Sequence, residues 1–318
     1  MTGSPGSIDV HHHILPPEYV AAVGADVIGS QGSSGKLPNW SLEGSLELMD
    51  AAGIATAITS VSSPGLLGLG PNEAVDLARW CNDFATGMAT DHPGRFGVFA
   101  TLPLHSEEAA TAEADRALGE LNADGVCLLT NYEGEYLGEQ RFAPLYEELD
   151  RHEAVVFVHP TTPFHRLDIA GMSQSMMEFP FDTTRTIASL LFGGVFTKYP
   201  SIRWIFSHAG GTLPYLAGRL EVLLRNNEVL RNGIGGELYE TLGSLFFDTA
   251  LSVDPGHLGS LRALVDDSQI LFGTDYPFGP KDQMESTVAR LTASDLSSES
   301  QEAIHRGNAS GLFSRFAS

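Results

Sequence analysis

The chain lacks the residues that would indicate a disulfide-stapled or membrane-spanning protein. Among its 318 residues are only two cysteines, Cys81 and Cys127, and neither lies in a C-x-x-C pattern. Such a low count excludes a disulfide scaffold and argues against a cysteine-built zinc site. No run of 18 apolar residues is present, so we expect no transmembrane segment and no membrane partner.

Positive charge is also scarce. There are 18 lysines and arginines against 40 aspartates and glutamates, which gives a formal net charge of −22. This field repels a nucleic-acid backbone, so we expect no nucleic-acid partner. An anionic substrate would need a local cation or a metal. Residues 1–7 lack the basic and apolar regions of a signal peptide, and the expected location is therefore the cytoplasm.

What the sequence has in abundance is a regular alternation of short apolar runs with helix-like stretches. Hydrophobic residues make up 42% of the chain, enough for a large core. No linker interrupts the pattern, so we predict a single domain over residues 1–318. The eight predicted strands are residues 8–13, 55–60, 96–101, 125–129, 154–159, 203–207, 245–248 and 269–273.

A helix is predicted after each strand, for example over residues 184–197, and a further C-terminal helix over 297–313. This order predicts an α/β fold, a (β/α)8 barrel, with a doubly wound open sheet as the alternative. The Gly- and Ser-rich segment 24–40 is interpreted as a mobile loop over one barrel face or as a disordered surface excursion.

Polar side chains follow several of these strands, at the end where barrel active sites lie. The first strand ends in Asp9-Val10-His11-His12-His13, and strand alternation places His11 and His13 on one face. His159 ends the fifth apolar run and Asp275 follows the eighth. A buried carboxylate is costly unless it is paired or coordinated. Nitrogen and oxygen donors without thiolate suit Zn²⁺, Mn²⁺ or Fe²⁺, so these residues predict a metal site.

The sixth strand repeats this pattern, since apolar residues lead to His208 and then to two glycines that permit a tight turn. Any one of these histidines could instead be a hydrogen-bonded core residue. Because these histidines converge on one rim together with a carboxylate, a functional site is favoured over a purely structural role. Aromatic residues near the same rim, Phe179, Phe181, Tyr276 and Phe278, are candidates for an apolar pocket or for ordinary core.

Four stretches carry a resemblance to a known family: IDVHHH near the start, VVFVHP at 155–160, FPFDTTRTIASLLFGGVFTKYPSIRWIFSHAGGTLPYLAGRL at 179–220, and ILFGTDYPFGP at 270–280. In these the chain resembles the amidohydrolase superfamily, in the branch of aminocarboxymuconate-semialdehyde decarboxylase and the γ-resorcylate decarboxylases. The segment GVCLLTNYEGEYLG at 125–138 is most similar to that of 6-methylsalicylate decarboxylases.

The resemblance implies roles for individual residues. His11, His13, His159 and Asp275 match the metal ligands, and Asp275 also matches a possible proton shuttle. His208 matches a histidine that acts beside the metal-bound water or the substrate. Arg219 matches an arginine that binds the substrate carboxylate across a dimer interface, which implies a homodimer; a salt bridge on the helix surface is the alternative.

The fourth strand has no carbamylated-lysine pattern, which favours a single metal ion, with Zn²⁺ first and Mn²⁺ second.

The expected activity is metal-dependent, non-oxidative decarboxylation of a salicylate-type aromatic acid, with 6-methylsalicylate among the candidates. Asp275 is the first candidate for the proton donor and His208 the second. The ligand set equally allows hydrolysis of a lactone, amide or other acyl bond. A metal-binding protein without activity is the third hypothesis. Asp182 is interpreted as a helix cap or as an orienting partner of His208.

Overall fold

The structure, a computed structural model, describes residues 6–279 and 281–317, with backbone alone for 281–285. The outermost ends of the predicted domain therefore lie outside the described residues. Eight parallel strands follow one another around a single sheet in chain order. They are β1 (Ser7–Ile14), β2 (Ile54–Val61), β3 (Phe96–Thr101), β4 (Gly125–Leu129), β5 (Val155–His159), β6 (Arg203–Phe206), β7 (Phe246–Asp248) and β8 (Ile270–Leu271).

The ring closes between the last strand and the first. The backbone N–H of Val10 donates to the carbonyl of Phe272 at 3.0 Å, and that of Asp275 donates to the carbonyl of His11 at 2.8 Å. A parallel bridge also joins His12 to Tyr276. The predicted (β/α)8 barrel is thus confirmed, and the open sheet is wrong.

Helices cover the outside of the barrel. They are α1 (Pro17–Val23), α2 (Ala25–Gln31), α3 (Leu42–Ala52), α4 (Pro71–Asp91), α5 (Glu107–Asp115), α6 (Ala143–Arg151), α7 (Gln174–Phe192), α8 (Val195–Lys198), α9 (Leu213–Leu224), α10 (Glu228–Ile234), α11 (Leu238–Gly243), α12 (Pro255–Arg262), α13 (Lys281–Thr292), α14 (Ser298–Glu302) and α15 (Asn308–Leu312). None of the described helices is long and apolar enough to cross a bilayer.

The core has two layers, because alternate residues of each strand face opposite sides of the sheet. One layer fills the barrel with side chains such as Ile58, Phe99 and Phe157, and the C-terminal segment closes its lower end with Phe313 and Phe316. The other layer packs the outer strand faces against the helices. The interior below the strand ends is therefore solid, and only the upper rim is left for a site.

A β-bulge interrupts the alternation of β1. Asp9 lies opposite Ala57 and His12 lies opposite Thr59, so β1 has one residue more than β2 over this stretch. Val10 belongs to the apolar layer inside the barrel, and the next residue, His11, also points inward, where its ring contacts Phe157. The bulge thus places His11 inside the barrel although regular alternation from Val10 would turn it outward.

Two sequence predictions of local structure need correction. The segment 24–40 was predicted to be a loop, but it begins with helix α2, which is held by the fully buried Ile28. Tertiary packing outweighs the weak helix propensity of Gly29 and Ser30. The helix predicted over 184–197 is divided between α7, which begins at Gln174, continues through Pro180 and ends at Phe192, and the short helix α8.

Candidate metal centre

The ends of β1, β5 and β8 bring four ligand-type side chains together at the upper rim. The possible ligand atoms of His11, His13, His159 and Asp275 all lie within 4.8 Å of one another, and all four residues are buried. The two Nε2 atoms of His11 and His13 are 3.1 Å apart. Each of them lies 3.3 Å from Oδ1 of Asp275. Three imidazoles and one carboxylate in this arrangement fit a divalent cation that accepts nitrogen and oxygen ligands.

The outer nitrogens of the first two histidines are held by neighbouring strands. His11 Nδ1 lies 2.7 Å from Asp248 Oδ2, and His13 Nδ1 lies 3.0 Å from Ser60 Oγ. These contacts leave both Nε2 atoms directed at the shared centre. His159 is different, because its Nδ1 is buried without a hydrogen-bond partner among the described residues. An unsatisfied buried nitrogen at this place is consistent with a ligand that the protein atoms do not supply.

Charge is distributed unevenly over the cluster. Burial alone would lower the pKa of His11, but the carboxylates of Asp248 and Asp275 raise it to about 10. Burial lowers the pKa of His13 to about 4 and that of His159 well below its ordinary value. Burial would raise the pKa of Asp275, yet the charge of His11 and polar contacts with the rings of His13 and His208 hold it well below the usual range. The metal-free cluster therefore holds a proton where a cation would bind.

His208 lies above the cluster, at the start of the turn that follows β6. Its Nε2 is 3.6 Å from Asp275 Oδ2, and neither ring nitrogen has a hydrogen-bond partner among the described residues. Because both nitrogens are uncommitted and one faces Asp275, His208 is placed to exchange a proton or a hydrogen bond with a molecule bound at the cluster.

A cavity of about 590 Å³ opens directly onto His159, His208 and Asp275. Its walls are mostly apolar and include Met176, Met177, Phe179, Phe181, Tyr215, Leu251 and Phe278. Three of the four predicted pocket aromatics thus line it, whereas Tyr276 instead packs against the ring of His12, with centroids 4.6 Å apart. Within the described part of the chain, no lysine or arginine lines the cavity.

Arg219 lies on the exposed face of α9 and does not line the cavity of its own chain. Asp182 lies inside α7, fully buried, where it accepts hydrogen bonds from Asn131 Nδ2 at 2.8 Å and Tyr136 hydroxyl at 2.6 Å. It also accepts one from the hydroxyl of Thr130. Both interpretations of Asp182 are therefore wrong: it is not at a helix end, and it anchors the residues after β4 rather than orienting His208.

Asp248 is a site residue that is not among the sequence predictions; its carboxylate contacts both the ring of His11 and the backbone of His208. A signal was present, because Asp248 ends an apolar strand as His159 does and is fully buried. Asp9 was also passed over. It accepts hydrogen bonds from the Thr274 backbone at 3.0 Å and hydroxyl at 2.6 Å, and so fixes the turn that presents Asp275.

The model of the amidohydrolase family matches residues 8–315. The chain is 37% identical to Decarboxylase yanB of Aspergillus niger, over 97% of this chain and 88% of that protein. It is 36% identical to 6-methylsalicylic acid decarboxylase of Penicillium expansum, over 97% of this chain and 96% of that protein. A crystal structure of an amidohydrolase II protein has a TM-score of 0.90 and 29% identity, with 97% of this chain and 99% of that one covered. A dihydroxybenzoic acid decarboxylase of a Polaromonas species, solved with manganese and 2-nitroresorcinol, covers 97% of both chains with a TM-score of 0.82 and 22% identity, a likeness of fold alone. On the family match and these identities, the chain belongs to the amidohydrolase family.

Proposed function

We propose that this protein is a metal-dependent decarboxylase of aromatic acids that carry a hydroxyl group ortho to the carboxylate. The observation that carries the proposal is the position of His208 and Asp275, which face each other at the floor of an apolar cavity beside the cluster of ligands. The two relatives described above are named as decarboxylases, one of them of 6-methylsalicylic acid. We therefore place 6-methylsalicylate first among the candidate substrates.

The proposed ligands are His11, His13, His159 and Asp275, and they hold one ion. A divalent cation bound there would supply positive charge to hold the substrate carboxylate and to stabilise negative charge that develops during the reaction. Three imidazoles with one carboxylate suit Zn²⁺ best, and Mn²⁺ is the alternative to be compared with it.

The walls of the cavity set the substrate class. Apolar side chains such as Met177, Phe179 and Phe278 suit an aromatic ring with an alkyl substituent. A second carboxylate would meet no lysine or arginine among the described lining residues, and its desolvation would be uncompensated. We therefore expect monocarboxylates to be preferred over dicarboxylates.

The residues at the floor of the cavity transfer one proton to the substrate ring. The ring carbon that bears the carboxylate first takes up a proton, which disrupts aromaticity, so a positioned acid is needed. The bond to the carboxyl group then breaks, its electron pair returns to the ring and restores aromaticity, and CO₂ leaves. Asp275 is ionised at rest, so it must first collect a proton, for which the ortho hydroxyl is a chemical source. His208 is the second candidate donor.

The direct test uses purified protein of measured metal content. We expect 6-methylsalicylate to release CO₂, and we expect 2-methylbenzoate, which lacks only the hydroxyl group, to release none. Chelation should stop the release, and either Zn²⁺ or Mn²⁺ should restore it, which also identifies the better metal. If the metal is bound and no ortho-hydroxy acid releases CO₂, the proposal is wrong, and turnover of a lactone or amide would establish hydrolysis at the same site.

The remaining proposals concern assembly. Arg219 is exposed and does not line the cavity of its own chain, so a role in binding the substrate carboxylate would call for a second copy of the chain, as a homodimer. Sedimentation at assay concentration and the KM of Arg219→Ala test this. A dimeric protein whose Arg219→Ala variant has a KM raised about tenfold supports the proposal, in line with the 1.5–3 kcal/mol of a charged hydrogen bond. A monomer of unchanged KM contradicts it. A cytoplasmic location stays a prediction from the sequence.

A further inference from the structure

Asp248 joins the ligand cluster to the turn that carries His208. It ends β7, is fully buried, and uses its two oxygens for different partners. Oδ2 lies 2.7 Å from Nδ1 of His11. Oδ1 accepts hydrogen bonds from the backbone N–H of His208 and of Ala250, both at 2.9 Å.

The contact with Oδ2 determines which nitrogen of His11 carries a proton. A carboxylate accepts hydrogen bonds and does not donate them, so the proton must be on Nδ1 of His11. When the ring is neutral, as metal binding requires, Nε2 then has its lone pair directed at His13 and Asp275. A metal ligand needs that lone pair, and a carboxylate behind a ligating histidine also makes the ligand more basic.

The contact with Oδ1 holds a turn of unfavourable backbone conformation. His208 and Ala209 have φ angles of 53° and 54°, and Gly210 and Gly211 follow at 73° and 65°. Positive φ costs a residue with a side chain on the order of 1 kcal/mol, so such a turn needs external support. The hydrogen bond from the His208 N–H to Asp248 supplies support at the residue whose ring faces the cavity.

The surroundings leave Asp248 little freedom to move. A side-chain carbon added at Gly273 would lie 2.9 Å from Cβ of His11 and 3.2 Å from Cβ of Asp248. One added at Gly210 would lie 2.7 Å from the ring of Phe247, the residue before Asp248. The backbone just after β8 and the turn after β6 therefore pack directly against this pair, so that its geometry is fixed from both sides.

We propose that Asp248 is a positioning residue with two separable tasks: Oδ2 selects the metal-binding form of His11, and Oδ1 holds His208 at the cavity. The first task concerns the metal alone, and the second rests on the proposed function. Asp248→Asn separates the two tasks. Its amide oxygen will face the two backbone donors, so its NH₂ will face Nδ1 of His11 and will favour a proton on Nε2, which blocks that ligand.

The first measurement is metal affinity in the intact protein, by competition between Zn²⁺ and a chromophoric chelator. We expect Asp248→Asn to weaken Zn²⁺ binding about 10- to 100-fold, the usual effect of losing such a partner. The ligand-field absorption of the Co²⁺-loaded variant should also differ from that of the wild type. Asp182→Asn is the matched control, because it removes another buried carboxylate that contacts none of the four ligands. It should leave both readouts unchanged.

The second measurement is kcat at saturating metal. Asp248→Asn keeps an acceptor for the His208 N–H, whereas Asp248→Ala does not, so the alanine variant should fall at least about tenfold further. Wild-type Zn²⁺ affinity in Asp248→Asn, or an equal loss in Asp182→Asn, would overturn the first task. Equal kcat values for the two Asp248 variants would overturn the second. If the wild type decarboxylates nothing, the proposed function fails while the metal measurement still decides the first task.

Discussion

Two adjacent histidines of β1 form carboxylate pairs of nearly the same kind, yet only one of them joins the ligand cluster. His11 Nδ1 lies 2.7 Å from Asp248, and His12 Nδ1 lies 3.1 Å from Asp9; all four residues are fully buried. The pairs differ at the other ring nitrogen. Nε2 of His11 faces further ligand atoms, whereas Nε2 of His12 meets the hydroxyl of Ser45 at 3.2 Å.

This difference shows what distinguishes a ligand from a structural histidine. A buried histidine paired with a carboxylate is common to both environments, so the pair alone does not indicate a metal. Both ring nitrogens of His12 have partners from the protein, and the residue joins β1 to α3 on the outer side of the barrel. His11 has one nitrogen satisfied and one that converges with other donors. A ring nitrogen that converges with other donor atoms, and is not paired with a dedicated partner as in His12, is therefore the feature that indicates a metal ligand.

The largest effect should follow from removing the converging nitrogen. We expect His11→Ala to weaken Zn²⁺ binding about 100- to 1,000-fold, because roughly 10–16 kcal/mol of binding energy is shared by about four ligands. Turnover should fall to background at stoichiometric metal. The metal content after gel filtration measures the loss. Retention of one tightly bound ion per chain would show that His11 is not a ligand.

Replacing Asp275 by Asn separates coordination from proton transfer. The amide oxygen can still bind a metal, but it cannot carry a proton between substrate and ring carbon. We expect kcat to fall about 100- to 10,000-fold with metal content unchanged, which is the range for loss of a general acid. Metal analysis and single-turnover CO₂ release check this. Wild-type turnover with the metal bound would leave His208 as the donor.

The corresponding change in the pair of His12 and Asp9 should lower the stability of the fold and leave metal binding almost unchanged. His12→Ala removes the partner that Asp9 and Ser45 share. Asp9 keeps its hydrogen bonds from Thr274, but the buried hydroxyl of Ser45 loses the imidazole, and a buried unsatisfied group costs about 1–3 kcal/mol. We expect the free energy of unfolding to fall by about that amount while Zn²⁺ affinity stays within a few-fold of the wild type. Denaturant unfolding and chelator competition give the two numbers. Loss of metal with normal stability would contradict the comparison.

The last prediction is a dependence of metal uptake on pH. The metal-free His11 has a pKa of about 10, so it is protonated near neutrality and must release its proton when a metal binds. Apparent affinity should therefore rise about tenfold per pH unit as pH increases towards that value. Titrations between pH 6 and 9, with proton release measured in weak buffer, test this sign. A flat profile would mean that the cluster binds metal without displacing a proton.

The barrel topology made much of the site predictable. Parallel strands end at the same rim, so an apolar run followed by His159 or Asp275 was enough to place those side chains together without knowledge of their contacts. The partner of His11 was not predictable in this way. Asp248 is 237 positions away from it, and the two side chains meet only because Gly273, after the intervening strand β8, leaves room between them, which no local pattern encodes.

Local patterns also failed where packing decided the outcome. Glycine and serine indicated a loop over 24–40, but one buried isoleucine, Ile28, anchors a helix there. Asp182 has the composition of a cap but lies within a helix, because three donors near the end of β4 solvate its carboxylate. For Asp182 the deciding contacts join residues 46 to 52 positions apart in the chain.

The bulge in β1 has a consequence for how this sequence can change by insertion and deletion. One supernumerary residue between Asp9 and His12 determines which of three consecutive histidines enter the barrel. A single deletion there would restore regular alternation, and the chemistry of the rim would be lost although composition and fold class stayed the same. The same deletion in the connection 32–41 would move no ligand. Insertions and deletions should therefore be tolerated in the connections between elements. In the six residues 8–13 of the first strand they should not be tolerated, because they would change which side chains enter the barrel.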